Sequence, residues 1–306
     1  MLAITGGTGF VGARLIALAV EAGHSVRALT RRPQPERAGV GWVPGDLADA
    51  DALRALCDGA DAVIHVAGAI NAADRAGFWR TNVDCTRAML AAAAGAGVRR
   101  FIQVSSLAAR EPALSDYGAS KAAADEIVTA SPLDWSIVRP PAVYGPGDRE
   151  SFELIRAVSR GFAPAIGAGR FSLVYVDDLG RALMALASAP AVSGLRTVFE
   201  ISDGQPGGCS HAEFARAVGE AVGRQPVVLP VPPALLRAAA SLNAAALRAL
   251  GRTPKLTPDR ARYFAHADWT ADPAALIATG LWRPEVPLRD GLARAVAWYR
   301  SEGWLA

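Results

Sequence analysis

The sequence predicts an α/β protein: a doubly wound parallel sheet with a smaller, mostly helical C-terminal lobe. Three observations carry that expectation. Apolar runs alternate with longer helical patterns through the first half of the chain. Those runs are continuous rather than alternating with polar residues, as in strands covered on both faces. The second half loses this rhythm and is punctuated by Pro140, Pro141, Pro146, Pro206, Pro230, Pro232, Pro233, Pro254 and Pro258.

Each element has its own signal. Residues 2–5 (LAIT) form an apolar run, and 25–30, 41–43, 62–66, 101–104 and 135–139 repeat the pattern. Their Val, Ile, Phe and Trp suit a packed, pleated surface. Between them, 9–22, 50–57, 79–94 and 117–130 are alanine-rich or amphipathic and predict helices. Such alternation gives parallel strands with helices on both faces, the Rossmann arrangement, which binds nucleotides at the carboxyl ends of its strands. Farther on, Ser210 and Glu213 have capping-box spacing, which predicts a helix start. Residues 234–250 are helical by composition and mostly apolar, interrupted by Arg237, Asn243 and Arg248. The expected division is a dinucleotide-binding domain of 1–144 plus 171–201 and a substrate lobe of 145–170 plus 202–306.

Composition narrows the function. At 306 residues and 51% hydrophobic content, the chain can bury a substantial core. A net charge of +3 with no basic run between aromatics gives no reason to expect nucleic acid. Cys57, Cys85 and Cys209 are far apart and read as small apolar residues in a reducing compartment. His24, His65, His211 and His266 lack metal-ligand spacing, so no metal is expected. No basic segment precedes Ile4 and no stretch is long and uncharged enough to span a bilayer; the expectation is a cytoplasmic protein.

The densest chemical signal is TGGTGFVG at 5–12, with glycines at Gly6, Gly9 and Gly12. Glycine lets the backbone turn tightly and approach a phosphate, whose charge then meets the amides of a helix N-terminus. A strand before the loop and a helix after it point to the pyrophosphate of a dinucleotide, held by Gly6, Thr8, Gly9, Phe10, Val11 and Gly12. The acidic residue that binds an adenosine ribose is normally about 20 positions on. Here Thr30, Arg31 and Arg32 occupy that place. Guanidinium forks suit a 2′-phosphate, so NADP(H) is expected in preference to NAD(H), which remains possible. Asp46, followed by Leu47, either reaches the adenine amino group or caps the next helix.

Tyr117 and Lys121 stand four apart at a helix start and so share a face. A lysine ammonium beside a phenol favours tyrosinate, which lets the tyrosine exchange a proton with a carbonyl or alcohol oxygen. Ser105 and Ser106 close the preceding strand and offer a hydroxyl to the same oxygen. The order of glycine loop, strand serine and Tyr-x-x-x-Lys carries more weight than any part of it.

With TGGTGFVG, GADAVIHVAG, TNVDCTRAML, VSS before YGASK, VRPPAVYGPGD and LVYVDDLGRAL, the chain resembles the extended short-chain dehydrogenases/reductases, the NAD-dependent epimerase/dehydratase-like proteins. The resemblance implies that Ser106 is the catalytic serine, Tyr117 the acid/base, and Lys121 the residue that orients the nicotinamide ribose. It implies that Val66, Ala67 and Gly68 line the cofactor and that Pro140 and Val143 bring backbone to the nicotinamide. Asn82 matches a partly structural asparagine. Asp177 and Asp178 match a substrate-lobe pair or simply cap the following helix. Cys85 stands where the family usually has glycine.

Arg31, Arg32 and the apolar segment 234–250 favour an NADPH-dependent carbonyl reductase of a hydrophobic ketone, such as a 3-keto sphingoid-type lipid or a steroid-like compound. The alternatives are a nucleotide-sugar epimerase or dehydratase with bound NAD, and a non-catalytic cofactor-sensing protein. A weak membrane-surface contact through 234–250, with Arg237 and Arg248 at the interface, is a further expectation, as is a monomer or homodimer.

Overall fold

The computed structural model describes residues 1–189, 196–251, 254 and 256–305, without the Arg248 side chain. Strand β1 (Leu2–Thr5) leads through the glycine loop to α1 (Phe10–Glu21), β2 (Val26–Thr30) and β3 (Val40–Pro44). Next come α2 (Ala50–Cys57), β4 (Ala62–His65) and the short α3 (Arg75–Phe78). A π-helical turn over Trp79–Asp84 runs into α4 (Cys85–Gly95), and β5 (Arg100–Val104) follows. A 3-10 turn, Leu107–Arg110, precedes α5 (Asp116–Thr129) and β6 (Asp134–Arg139).

The rest of the chain begins with β7 (Ala142–Tyr144), α6 (Arg149–Ser159), β8 (Phe162–Ile166), β9 (Arg170–Phe171) and β10 (Leu173–Tyr175). Helix α7 (Val176–Ser188), β11 (Val198–Glu200), β12 (Cys209–Ser210) and α8 (His211–Val222) come next. Then follow β13 (Val227–Val231), α9 (Pro233–Ala249) and α10 (Pro258–Phe264). The chain closes with β14 (Asp268–Trp269), α11 (Ala274–Ala278) and α12 (Leu288–Ser301).

These elements divide into two compact units. The first comprises Met1–Pro140, Leu179–Glu200 and Pro273–Arg283. Its seven strands lie in the order β11-β6-β5-β4-β1-β2-β3, all parallel. The doubly wound sheet is therefore present, with its order reversing beside β1. Period-two alternation sends Ala3, Val63, Phe101 and Trp135 to one face, where Leu53, Leu56, Met89 and Val128 pack on them. Leu15, Ile16 and Ala19 of α1 are also buried. Gly180 of α7 lies so close to α1 that a Cβ there would stand 2.5 Å from Leu18 Cδ1.

The helix expected over 79–94 is really two pieces, because the chain widens into a π turn before α4. Such turns insert a residue and re-aim side chains, here that of Asn82.

The second unit comprises Pro141–Asp178, Ile201–Asp272 and Pro284–Ala306. Tyr144, Phe152, Val218, Val296 and Tyr299 are buried in its core. The Tyr299 hydroxyl lies 2.6 Å from the Asp148 carbonyl oxygen and 3.1 Å from that of Gly145. The predicted capping box is formed: the Glu213 amide donates to Ser210 Oγ, and the Ser210 amide donates to Glu213 Oε2. Helix α9 covers 233–249, one residue from its expected limits.

This unit also holds small sheets that the sequence did not announce: β7 with β10, β8 with β13, and β9 with β12 and β14. Two of these strands, FAPAI and VVLPV, carry proline, which removes a ladder donor and is tolerated only at edges. In a two-stranded sheet both strands are edges.

Candidate functional site

The glycine loop leaves β1 at the point where the strand order reverses. Gly6 has φ +70°, and a Cβ there would stand 2.8 Å from the Ala67 amide nitrogen. A Cβ on Gly12 would meet the Gly6 carbonyl oxygen at 2.1 Å. Neither position has room for a side chain, so the loop lies tight against Val66-Ala67 and against the first turn of α1. Gly9 caps α1 without a side-chain bond, and the first turn carries no acid. Its amides therefore face no carboxylate of their own, and an anion finds them ready-made. Thr8 and Gly9 are exposed, while Phe10 and Val11 are half-buried.

Below this loop, His65 ties the strand ends together. Thr5 and His65 are register partners. Thr5 Oγ1 accepts from the Ala67 amide at 3.2 Å and lies 2.7 Å from His65 Nδ1. Thr86 Oγ1 donates to the Asn82 carbonyl at 2.7 Å and lies 3.3 Å from His65 Nε2. With the Thr86 proton spent on Asn82, Nε2 must donate to Thr86, leaving Nδ1 to accept from Thr5. The imidazole is thus neutral, and burial beside Lys121 pushes its pKa down to about 3.

An unfolded histidine takes up a proton near pH 6.5, so this group's stabilising contribution is full above that value and is lost as pH falls toward about 3. The protein is expected to lose about 2 kcal/mol of unfolding free energy between pH 7 and pH 5 from His65 alone. Urea titrations at the two pH values should show this loss in the wild type and a smaller one in His65→Gln. An equal loss in both would refute it.

Asn82 organises the other side of the loop after β4. Its Oδ1 accepts from the Ala69 amide at 2.7 Å, and its Nδ2 donates to the Ala69 carbonyl at 3.0 Å and to Ser120 Oγ at 2.9 Å. Ser120 Oγ in turn donates to the Tyr117 carbonyl at 2.8 Å. A Cβ on Gly68 would stand 3.0 Å from Lys121 Nζ and 3.1 Å from Asn82 Oδ1. The segment 66–68 therefore runs directly over Lys121.

Lys121 is buried, with Nζ donating to the Val104 carbonyl at 3.0 Å. Desolvation lowers its pKa to about 8, against the pull of Asp125 one turn on. Asp125 is itself buried and pairs with Arg139 Nε at 2.9 Å. Tyr117 lies in the first turn of the same helix, 6.1 Å between ring centroids from Phe78. Gly118 lets that turn approach the 3-10 turn: a Cβ there would stand 2.7 Å from the Ala108 carbonyl oxygen. Ser106 begins the 3-10 turn, with Oγ accepting from the Ala108 amide at 3.2 Å. The Leu107 amide donates to the Pro140 carbonyl at 2.9 Å. Ser105 is also buried, its amide donating to the Val138 carbonyl at 2.8 Å.

Arg31 and Arg32 follow β2 and are exposed, and neither guanidinium is ion-paired among the described residues. Thr30 Oγ1 donates to the Arg32 carbonyl at 2.6 Å, folding that loop back on its strand. Of the two readings open for Asp46, helix capping falls to Asp49, whose carboxylate accepts from the Asp51 and Ala52 amides. Asp46 is exposed and accepts from the Ala48 amide at 2.8 Å, with Leu47 half-buried between them. Cys85 is half-buried, and its thiol pKa is raised by burial, then by Asp46 and Asp84. Among the described residues no group of His, Cys, Asp or Glu could hold a metal ion.

The remaining sequence candidates belong to the second unit. Val143 is the middle residue of β7. Asp178 does not precede a helix starting at Leu179: it lies in the first turn of α7, which begins at Val176. Its buried carboxylate instead accepts from the Glu285 and Val286 amides, both at 3.0 Å. His65, Asp125, Arg139 and Ser120 were not singled out in the sequence. The signals were there: a polar residue ending an apolar strand, and a carboxylate one turn beyond Lys121.

A family model for the NAD dependent epimerase/dehydratase family matches residues 2–202. The chain belongs to this family. It is a nicotinamide-dependent oxidoreductase of the short-chain dehydrogenase/reductase type. Among similar family members is a protein of Caulobacter vibrioides named ceramide reductase, 39% identical over 100% of this chain and 96% of its own length. A Mycobacterium tuberculosis protein named 3 beta-hydroxysteroid dehydrogenase/Delta 5-->4-isomerase is 30% identical over 72% of this chain and 69% of its own length. Of the solved structures, gox2253 superposes with a TM-score of 0.80 at 23% identity, covering 100% of this chain and 99% of that one. MoeE5 in complex with UDP-glucose and NAD gives 0.73 at 25% identity, covering 98% and 99%. No helix among the described residues is long and apolar enough to cross a membrane.

Proposed function

We propose that this protein is an NADPH-dependent carbonyl reductase of a hydrophobic ketone, a 3-keto sphingoid-type lipid foremost. The observation that carries the reading is the pair Arg31 and Arg32. Both are exposed, and among the described residues neither is ion-paired, at the end of β2, where a carboxylate would otherwise meet a ribose. Full-length similarity to a protein named ceramide reductase supports the substrate class.

The residues fit such a cofactor. The cradle of Gly6 and Gly12 has no room for a Cβ, α1 opens without an acid, and Gly68 lies against Lys121. Gly6, Thr8, Gly9, Phe10, Val11 and Gly12 would hold the pyrophosphate, and Asp46 and Leu47 the adenine side. Val66, Ala67, Gly68, Pro140 and Val143 would border the nicotinamide half.

When bound, the reduced nicotinamide supplies a hydride for the carbonyl carbon. Tyr117 gives its phenolic proton to the carbonyl oxygen, and the Ser106 hydroxyl donates a hydrogen bond to the same oxygen. Lys121 stabilises the resulting tyrosinate and holds the nicotinamide ribose. Its buried Nζ is fixed by the Val104 carbonyl, so the charge arrives pre-oriented.

Purified protein mixed with NADPH and a micellar 3-keto sphingoid lipid should consume one NADPH per secondary alcohol formed. Protein that instead retains bound NAD, ignores NADPH and interconverts a nucleotide sugar would overturn the proposal in favour of an epimerase.

A further inference from the structure

Helix α9 turns an apolar face outward. Leu235, Ala238, Ala239, Leu242, Ala246 and Ala249 are exposed and fall on one stripe at helical spacing. Leu235 is 61% exposed, Leu242 73% and Leu250, just beyond the helix, 70%. The opposite face is already occupied. Ala240 and Ala244 are buried there, and Asn243 Nδ2 donates to the Leu256 carbonyl at 3.0 Å. The outward stripe is therefore not a core face with its partner missing from the same unit.

Charge identifies what the stripe suits. From 221 to 258 the sequence has no Asp or Glu, but it has Arg224, Arg237, Arg248, Arg252 and Lys255. Arg252 and Lys255 lie outside the described residues and count here as sequence only. Arg237 is exposed on α9, about 100° round the helix from Ala238 at the near edge of the stripe, and Arg224 is exposed before β13. Strand β13 adds Val227 and Leu229, and β8 adds Phe162, the register partner of Val227, on one exposed face of their sheet. In a chain with 32 cations and 29 acids, a 38-residue stretch without a carboxylate is a concentration of positive charge along the sequence. An exposed leucine–alanine face in so cationic a stretch of chain matches the acyl boundary and headgroups of an anionic bilayer.

We infer that α9 docks this unit on the surface of an anionic lipid bilayer, lying in the interface without crossing it. The inference rests on the exposed stripe and its charge, independently of which ketone is reduced. A second copy of the chain is the competing occupant. A homodimer face has no need of a 38-residue stretch without a carboxylate.

Sedimentation with vesicles of phosphatidylcholine and phosphatidylglycerol in equal parts should carry the protein into the pellet. Vesicles of phosphatidylcholine alone should carry much less, and added salt should weaken binding to the anionic ones. The double substitution Leu235→Ser and Leu242→Ser should lower the partition coefficient about tenfold or more. Arg237→Glu should lower it on anionic vesicles only. Circular dichroism and NADPH affinity, both carried by residues away from the stripe, should stay as in the wild type. No binding to either vesicle overturns the inference. So does a dimer in sedimentation velocity that the leucine substitutions dissociate while vesicle binding is absent. Failure to reduce a sphingoid ketone, with vesicle binding intact, would remove only the substrate reading.

Discussion

Replacing Tyr117 by phenylalanine is expected to lower kcat by about 10³-fold while leaving the NADPH Kd within about twofold of the wild-type value. The substitution keeps the ring that packs near Phe78 and deletes only the hydroxyl. Positioned proton donors contribute roughly 10²–10⁴ to a rate, and no other phenol or imidazole on α5 stands ready to replace this one. Stopped-flow oxidation of NADPH measures the first quantity and fluorescence titration the second. Turnover near the wild-type rate would assign the proton to another group. A joint collapse of turnover and binding would make Tyr117 a cofactor contact.

The second large effect concerns cofactor choice. Arg31→Ala with Arg32→Ala should raise the NADPH Kd about 10- to 100-fold, with little change for NADH. Hydrogen bonds to charged groups contribute about 1.5–3 kcal/mol each in protected settings, and both guanidiniums are exposed and screened, so the effect of the pair falls below that summed range. The loss should shrink at high ionic strength, because the screened interaction is the one removed. Isothermal titration with both nucleotides settles the outcome. Equal weakening of NADPH and NADH would show that the arginines serve the loop rather than a 2′-phosphate.

Much of this could be read along the chain because local rules and global fold agree there. Buried parallel strands need continuous apolar runs, and the glycine loop needs positions without a Cβ; each requirement leaves a trace in neighbouring residues. The trace fails where a residue's partner is distant in sequence. His65 looked like a scattered histidine, and only the return of β4 beside β1 puts it between Thr5 and Thr86. Asp178 looked like a helix cap, yet its two amide donors come from more than a hundred residues later. Asp46 and Asp49 offered the same capping chemistry three positions apart, and only loop geometry chose Asp49. The small sheets of the second unit escaped for another reason. Strands of two to five residues, two of them interrupted by proline, fall below the length at which a period of two can be recognised.

The first unit is assembled from three stretches of chain, the last being Pro273–Arg283, which contributes the buried Leu276 and Trp282. A ribosome delivers that stretch only after most of the polypeptide has emerged. The first 140 residues must therefore wait as a nascent chain with part of their apolar surface uncovered, and so must strand β11, which joins β6 near residue 200. Vectorial synthesis cannot finish one unit before starting the other. A frameshift or premature stop as late as residue 272 would strip packing from the nucleotide-binding half, although every residue of its glycine loop had long been made.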